Sequence, residues 1–314
     1  MRFVFYLLLG FAYFSVHAAE DSIVLYPAYA THGGAGVLEG RVIAREAIRA
    51  PTAEDRKWAN LRRNLGFLVN QERENAPVIV RLADRQWDTT TDKEGYFRVE
   101  LRDLAGLTPG WHRIGGQVDQ SSTETGLLVV PEANTLGLIS DLDDTILVTE
   151  VNSARRMLAN SLLRNPLQRQ AVPGTAKLYR QLASRNADPA AAPIFYLSAS
   201  PRQLHFSLET FLGHNGFPPG VLITKRVTND ETSEPLRDQI AYKKSRIEEI
   251  LARVPHARFT LIGDDGERDP EIYHEIRALH PDRVDAIWIR RVDPDPKRPR
   301  ISGQGDLDTL LRAD

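Results

Sequence analysis

Four short segments carry side chains whose types and spacing could do chemistry. The first, Ile139-Ser-Asp141-Leu-Asp143-Asp144-Thr145, closes an apolar run. Alternate residues of an extended strand point the same way, so Asp141 and Asp143 project together. Two neighbouring carboxylates repel unless a cation or a shared proton separates them. One can then attack phosphorus and bind a hard cation while the other handles the leaving-group proton. The same Asp-x-Asp-x-Thr pattern also occurs in turns and caps.

The second segment, Ile194-Phe-Tyr-Leu-Ser198-Ala-Ser200-Pro201, brings a hydroxyl and backbone N–H groups to a strand end, an arrangement suited to a phosphoryl oxygen. Ser200 before Pro201 reads as a helix N-cap. In the third, Lys243 and Lys244 open a helical stretch, where cations oppose the macrodipole, so one of them has another task. The fourth, Leu261-Ile-Gly263-Asp264-Asp265-Gly266-Glu267-Arg268-Asp269-Pro270-Glu271, crowds acidic residues after a glycine. They read as oxygen ligands for Mg²⁺, Asp264 first, with Asp269 before Pro270 either a helix cap or a further member of the metal site.

These segments need a scaffold that gathers them. Five apolar runs, at 136–143, 193–198, 221–225, 259–264 and 284–289, alternate with helical periodicity at 152–164, 174–185, 203–214, 242–253 and 270–280. Such alternation predicts an α/β fold with a parallel sheet covered on both faces. Ligands bind beyond the carboxyl ends of such strands, where three of the segments fall. Earlier in the chain, short runs at 22–26, 36–43, 77–82, 95–101 and 126–130 alternate with period two between Gly, Pro, Asp and Thr, which predicts an antiparallel β-sandwich. A helix over about 53–68 is expected to pack Trp58, Leu61, Leu65 and Leu68 on that sandwich and leave a solvated basic face; contact of that face with an anionic membrane is the alternative.

Composition bounds the rest. With 42% hydrophobic and 26% charged residues, the 314-residue chain is neither disordered nor collagen-like, and length suggests two domains. The absence of cysteine excludes disulfides, thiolate nucleophiles and zinc-thiolate sites. A formal charge of -2 gives no overall footprint for nucleic acid. Arg2, an apolar run over 3–14 that is shorter than a spanning helix needs, and Val16 and Ala18 before a cut predict a signal peptide at 1–18 and hence an exported protein, periplasmic or secreted; a retained membrane anchor is the alternative.

Taken in order, the four segments resemble the haloacid-dehalogenase superfamily of phosphohydrolases. Ile139 to Ile146, Val172-Pro-Gly174, Tyr196 to Pro201, Phe211-Leu, Gly216-Phe-Pro218, Ile262 to Tyr273 and Ile287-Trp-Ile-Arg290 resemble, more narrowly, the catalytic domain of the actin-patch-type phosphatidate phosphatases, over about 134–292. The turn Thr91-Asp-Lys-Glu-Gly95 resembles that of transthyretin-like sandwiches. The resemblance implies a sandwich over 21–131 and, over 134–314, a Rossmann-like three-layer domain with a minimal cap. It implies Asp141 as nucleophile forming an aspartyl-phosphate, Asp143 as general acid and then base, Ser198 on a phosphoryl oxygen, and Lys243 as the balancing cation. Mg²⁺ would be held by Asp141, Asp264 and the backbone carbonyl of Asp143, with Asp265 as a further ligand.

The implied activity is a Mg²⁺-dependent phosphomonoesterase acting on phosphatidate or a related lipid headgroup. A phosphatase of soluble esters or phosphoproteins, and a non-catalytic phosphatidate-binding module, are the alternatives. Peripheral membrane contact is expected of such a protein, and the basic stretch Arg290, Arg291, Lys297, Arg298 and Arg300 either serves it or is a solvated loop. Four positions depart from the family pattern. Ala199 and Arg202 stand for asparagine and tryptophan, Tyr242 for histidine and Asp265 for serine, which bears on specificity more than on chemistry.

Overall fold

The computed structural model describes residues 21–44, 71–132, 135–148, 166–227, 239–292, 298 and 300–312. The leader-like run, the helices expected over 53–68 and 152–164, and Lys297 lie outside the described residues.

Among the described residues, nine strands build a first sheet: β1 (Asp21–Leu25), β2 (Ala28–Thr31), β3 (Gly36–Ala44), β4 (Gln71–Glu72), β5 (Pro77–Leu82), β6 (Arg85–Thr90), β7 (Tyr96–Leu101), β8 (Gly110–Val118) and β9 (Ser121–Val130). Their order is β1-β3-β2-β9-β8-β5-β6, with β4 and β7 also paired to β3. Period-two burial carries Val78, Val80 and Leu82 of β5 inward, where they meet Leu38, Val42, Leu101 and Ile114 in one apolar core. The turn into β7 forms because Gly95 adopts φ 75° and the Asp92 carboxylate accepts from Glu94 N–H and Tyr96 N–H.

The sheet is not purely antiparallel as the sequence suggests. Strands β2 and β9 pair in parallel, Ala28 opposite Leu127 and Thr31 opposite Val130. Alternation identifies a strand but not its partner, and the long chain between these two supplies the crossover that a parallel pair requires.

The second sheet is parallel, with β10 (Thr135–Asp141), β11 (Ile194–Pro201), β12 (Val221–Lys225), β13 (Ala257–Asp264), β14 (Val284–Arg290) and β15 (Gly305–Asp306) in the order β12-β11-β10-β13-β14-β15. Among the described residues, five α-helices accompany it: α1 (Thr175–Ala183), α2 (His205–His214), α3 (Gln239–Arg253), α4 (Asp269–Leu279) and α5 (Leu307–Arg312). Ile139, Phe195 and Leu261 pack on α3 and α4, whereas Leu138, Ile194 and Ile262 pack on α1, α2 and α5. Both faces are therefore covered, which is why these strands read as unbroken apolar runs. The chain lays β11 and β12 to one side of β10, then returns to put β13 on the other. That reversal creates the crevice at which open α/β sheets bind ligands.

Strand β9 joins the two sheets. Its Leu127 and Val129 belong to the core of the first sheet, its Leu128 and Val130 to the core that holds Phe195 and Ile139. Tyr29 of β2 meets Phe195 edge-on, with ring centroids 4.8 Å apart.

His205 lies in this joint, 3% exposed, with its ring 4.8 Å from Tyr26 and its Nε2 buried without a hydrogen-bond partner. Burial, aided by the Arg202 guanidinium, pushes its pKa down to about 3. The folded state thus keeps it neutral while the unfolded chain, near about 6.5, takes up a proton. Its contribution to stability is complete above that unfolded value and erodes, at up to about 1.4 kcal/mol per pH unit, as pH falls towards the folded one. His205→Phe, which keeps a ring against Tyr26, should flatten the fall in Tm between pH 7 and pH 5. Parallel curves for the two proteins would exclude this account.

Candidate active site

The carboxyl ends of β10, β11 and β13 converge because these strands are neighbours, with Ser140 of β10 opposite both Tyr196 of β11 and Ile262 of β13. Asp141 closes β10 and Asp264 closes β13, so both carboxylates reach the same point. After β10 the chain turns sharply. Asp144 takes φ 57°, a conformation Asp tolerates better than most residues, and Ile146 N–H and Leu147 N–H both donate to the Leu142 carbonyl. The turn swings Thr145 back over the strand end, with its Oγ1 3.1 Å from Asp141 Oδ2 and 3.2 Å from Asp264 Oδ2.

Lys243 enters from α3, 1% exposed. Its Nζ lies 2.9 Å from Asp141 Oδ1, 2.7 Å from Asp269 Oδ1 and 3.0 Å from Glu267 Oε2. The helix begins at Gln239, so Lys243 and Lys244 stand beyond its first turn rather than opening it. Burial disfavours the Lys243 charge, but Asp141, Asp269 and Glu267 outweigh it and drive its pKa well above the ordinary value. Lys244 instead pairs with Glu275 at 2.8 Å on the surface.

Asp269 does not cap α4. It is the first residue of that helix, whose cap position is Arg268, and its carboxylate turns inward to Lys243 and to the backbone N–H of Asp264, 3.4 Å from Oδ2. Gly263 makes room for it, since a Cβ there would stand 2.3 Å from Asp269 Oδ2. Asp265 behaves oppositely. Its Oδ1 accepts from Val292 N–H at 2.7 Å and its Oδ2 faces Arg291 at 3.5 Å, so the chain after β14 engages both oxygens.

A cluster of Asp141, Asp264 and Asp269 results, with one oxygen from each within 4.8 Å of the others. A hard cation bridges oxygens roughly 4–5 Å apart at its usual bond lengths. Against Asp141, Asp269 and Glu267 stands, among the described residues, the ammonium of Lys243. Burial first, then the neighbouring carboxylates, push Asp264 up to about 7, and burial likewise raises Asp141 and Asp269 despite Lys243. Crowded acids that retain protons for want of positive charge fit a divalent cation.

Asp143 is held apart from this cluster. Its Oδ2 accepts from Ser198 Oγ at 3.1 Å and lies 3.4 Å from Ser200 Oγ. Ser198 Oγ in turn accepts from Ser200 N–H at 3.0 Å, and Tyr242 donates to the Ser198 carbonyl at 3.3 Å. Ser200 is therefore not the helix cap that its sequence suggests. Strand β11 continues through Pro201, and a 3-10 turn over Arg202–Leu204 precedes α2. Burial raises the Asp143 pKa while Arg169, itself 8% exposed, opposes it.

The sequence-predicted residues Asp141, Asp143, Ser198, Lys243 and Asp264 thus meet at one crevice, and Asp265 faces away. Thr145, Glu267, Asp269 and Arg169 join without having been assigned. Thr145 and Asp269 carried a signal in their spacing from Asp141 and Asp264, whereas Arg169 had none.

Similarity to known proteins points the same way. Residues 136–291 match the family described as "Phosphatidate phosphatase APP1, catalytic domain". The chain is 34% identical over 242 residues to phosphatidate phosphatase APP1 of Saccharomyces cerevisiae, covering 72% of this chain and 39% of the yeast protein. It is 28% identical over 218 residues to an uncharacterized protein of Schizosaccharomyces pombe, covering 67% of this chain and 35% of that one. The chain therefore spans well under half the length of these curated relatives. Among solved structures, a carbohydrate acetylesterase from Xanthomonas citri aligns with 87% of this chain and 68% of its own at 9% identity, with a TM-score of 0.29, too low to bear on fold or function.

Proposed function

We propose that this protein, whose residues 136–291 match the catalytic-domain family of phosphatidate phosphatase APP1, hydrolyses phosphomonoesters through an aspartyl-phosphate, with phosphatidate or a related lipid phosphate as its substrate. The observation that carries the proposal is the separation of the two motif carboxylates. Asp141 is held by Lys243 and Thr145, Asp143 by Ser198 and Ser200.

In the first half-reaction a carboxylate oxygen of Asp141 forms a bond to phosphorus as the bond from phosphorus to the leaving alcohol breaks. The proton on the Asp143 carboxyl passes to that departing oxygen. A buried acid whose pKa is raised is better suited to carry this proton than an exposed one. In the second half-reaction a water oxygen attacks phosphorus, its proton goes to Asp143, and the bond to Asp141 breaks, restoring both residues. The Ser198 hydroxyl and the backbone N–H groups after it hold phosphoryl oxygens, and Lys243 balances charge on Asp141 and the transferring group. A divalent cation, Mg²⁺ by its preference for oxygen, would be held by Asp141, Asp264 and Asp269 with the Asp143 carbonyl, and would neutralise charge on the phosphoryl oxygens. The leader-like run over 1–18 supports action outside the cytoplasm.

Phosphate release from phosphatidate in mixed micelles and from a small aryl phosphate, each with Mg²⁺ or EDTA, tests the reading. Metal-dependent turnover of phosphatidate is expected. Turnover of the aryl ester alone would retain the chemistry and replace the substrate, and binding of phosphatidate without turnover of either would overturn the enzyme in favour of a binding module.

A further inference from the structure

The basic residues at and after the end of β14 read from the sequence as a membrane contact or a solvated loop, yet the fold turns three of them toward the acidic turns of the site. Arg290, opposite Asp264 in the sheet, donates through Nη1 to the Asp144 carbonyl. Arg291 faces Asp265 Oδ2 at 3.5 Å. Only Arg300, among those described, points largely to water, its side chain 72% exposed and 3.7 Å from Asp306.

Arg298 is the most heavily engaged. Its Nε and Nη2 take the two carboxylate oxygens of Glu271, the first at 3.0 Å, while Nη1 donates to the Asp265 carbonyl and Nη2 also donates to the Glu267 carbonyl at 2.7 Å. A planar fork can span a carboxylate and two carbonyls in this way. A lysine, whose three donors share one nitrogen, cannot. Burial tends to raise the Glu271 pKa, but Arg298 outweighs it and holds the carboxyl below its ordinary range.

The grip falls on the loop between β13 and α4. Helix α4 starts without a side-chain cap, since Arg268 at the cap position makes no such bond, and Glu271 stands in its first turn. Asp265 and Glu267, whose carbonyls Arg298 holds, alternate with the acids that serve the site. Asp264 meets Thr145 Oγ1 at 3.2 Å, and Glu267 and Asp269 meet Lys243 Nζ at 3.0 Å and 2.7 Å. Groups that orient the ligands of a metal govern its affinity nearly as much as the ligands do.

We propose that Arg298 is a positioning residue for the cation site, fixing the 264–269 loop so that Asp264, Glu267 and Asp269 face Asp141 and Lys243. This rests on the metal-dependent reading of the site given above. Arg298 itself lies outside the matched residues 136–291.

Arg298→Lys and Arg298→Met separate the fork from the charge. Mg²⁺ binding to the full chain without substrate, measured by calorimetry, should weaken about ten- to hundredfold in both. At a Mg²⁺ concentration that half-saturates the wild type, kcat for phosphatidate in mixed micelles should fall while KM stays within about twofold. A membrane role for Arg298 gives the opposite split: a lysine variant like the wild type, and a methionine variant with raised KM but unchanged kcat and Mg²⁺ affinity. That result would overturn the proposal. Glu271→Gln, which keeps the shape but loosens the fork and removes a negative charge, should also weaken Mg²⁺ binding, by less; unchanged affinity with stronger capture by phosphatidate vesicles would again favour the membrane. Should either arginine variant fail to fold, the Glu271→Gln titration decides. Equal Mg²⁺ affinity in wild type and variants would overturn the role of Arg298 alone, whereas a wild type that neither binds Mg²⁺ nor turns over phosphatidate would overturn the reading of the site beneath it.

Discussion

Replacing Asp141 by Asn is expected to lower phosphate release by roughly 10⁴- to 10⁶-fold, the range seen when one member of a covalent catalytic set is removed. The amide has nearly the shape of the carboxylate but is a far weaker nucleophile, so no aspartyl-phosphate forms. The same substitution should leave the fold as stable as before, or more so. Asp141 is 2% exposed and burial holds its pKa well above the ordinary value, so its charge is a cost to the folded state. Lys243 keeps Asp269 and Glu267 as partners. Residual turnover within tenfold of wild type, or a fall in Tm of more than a few degrees, would contradict the assignment. Loss of activity with gain of stability is the pattern of a site that sacrifices one for the other.

Lys243→Met should have the opposite structural consequence. It removes the one ammonium shared by Asp141, Asp269 and Glu267, all within 3.0 Å. Breaking a buried ion pair by deleting one partner costs about 3–5 kcal/mol, which at about 2–4 °C per kcal/mol corresponds to a fall in Tm of roughly 6–20 °C. The deficit should depend on pH. Without the lysine the carboxyl pKa values rise further, the folded state binds more protons than the unfolded chain, and stability falls as pH increases. The variant should therefore lie further below wild type at pH 8 than at pH 5. The metal-free wild type should show the same sign more weakly, because Asp264 already titrates near 7 when folded and near 3.8 otherwise. Adding Mg²⁺ should return part of the loss by mass action. Equal Tm values for variant and wild type at pH 8 would refute a charge-balancing lysine.

Much of this site could be read from the chain because the second sheet is buried on both faces. Residues 221–225 were legible as a strand with the same limits found in the fold, and the other four major strands of that sheet to within a few residues. Knowing where such strands end identifies the catalytic edge. The first sheet was less legible. Strand β6, Arg85–Thr90, has no fully buried side chain, and β8 contains three glycines among polar residues, so neither shows the alternation that marks a half-buried strand.

The misreadings at the site have a common cause. Asp269 before Pro270 and Ser200 before Pro201 both satisfy the local pattern of a helix start. Tertiary neighbours decide otherwise: Lys243 draws the Asp269 carboxylate inward, and Ser200 faces Asp143 across the strand end. Asp264 and Asp265 are adjacent and chemically identical, and only the loop geometry separates them. Gly266 N–H donates to Asp264 at 2.7 Å, while Asp265 is turned to Val292. No periodicity encodes that choice.

The double allegiance of β9 bears on what can be inherited and what can stand alone. The family model's match begins at residue 136, yet Leu128 and Val130, just ahead of that point, fill the same core as Ile139, Phe195 and Leu261. A chain started at the family boundary would present that seam to water, losing about 25 cal/mol for each Å² of apolar surface left uncovered. The first sheet thus covers apolar surface that the second would otherwise expose.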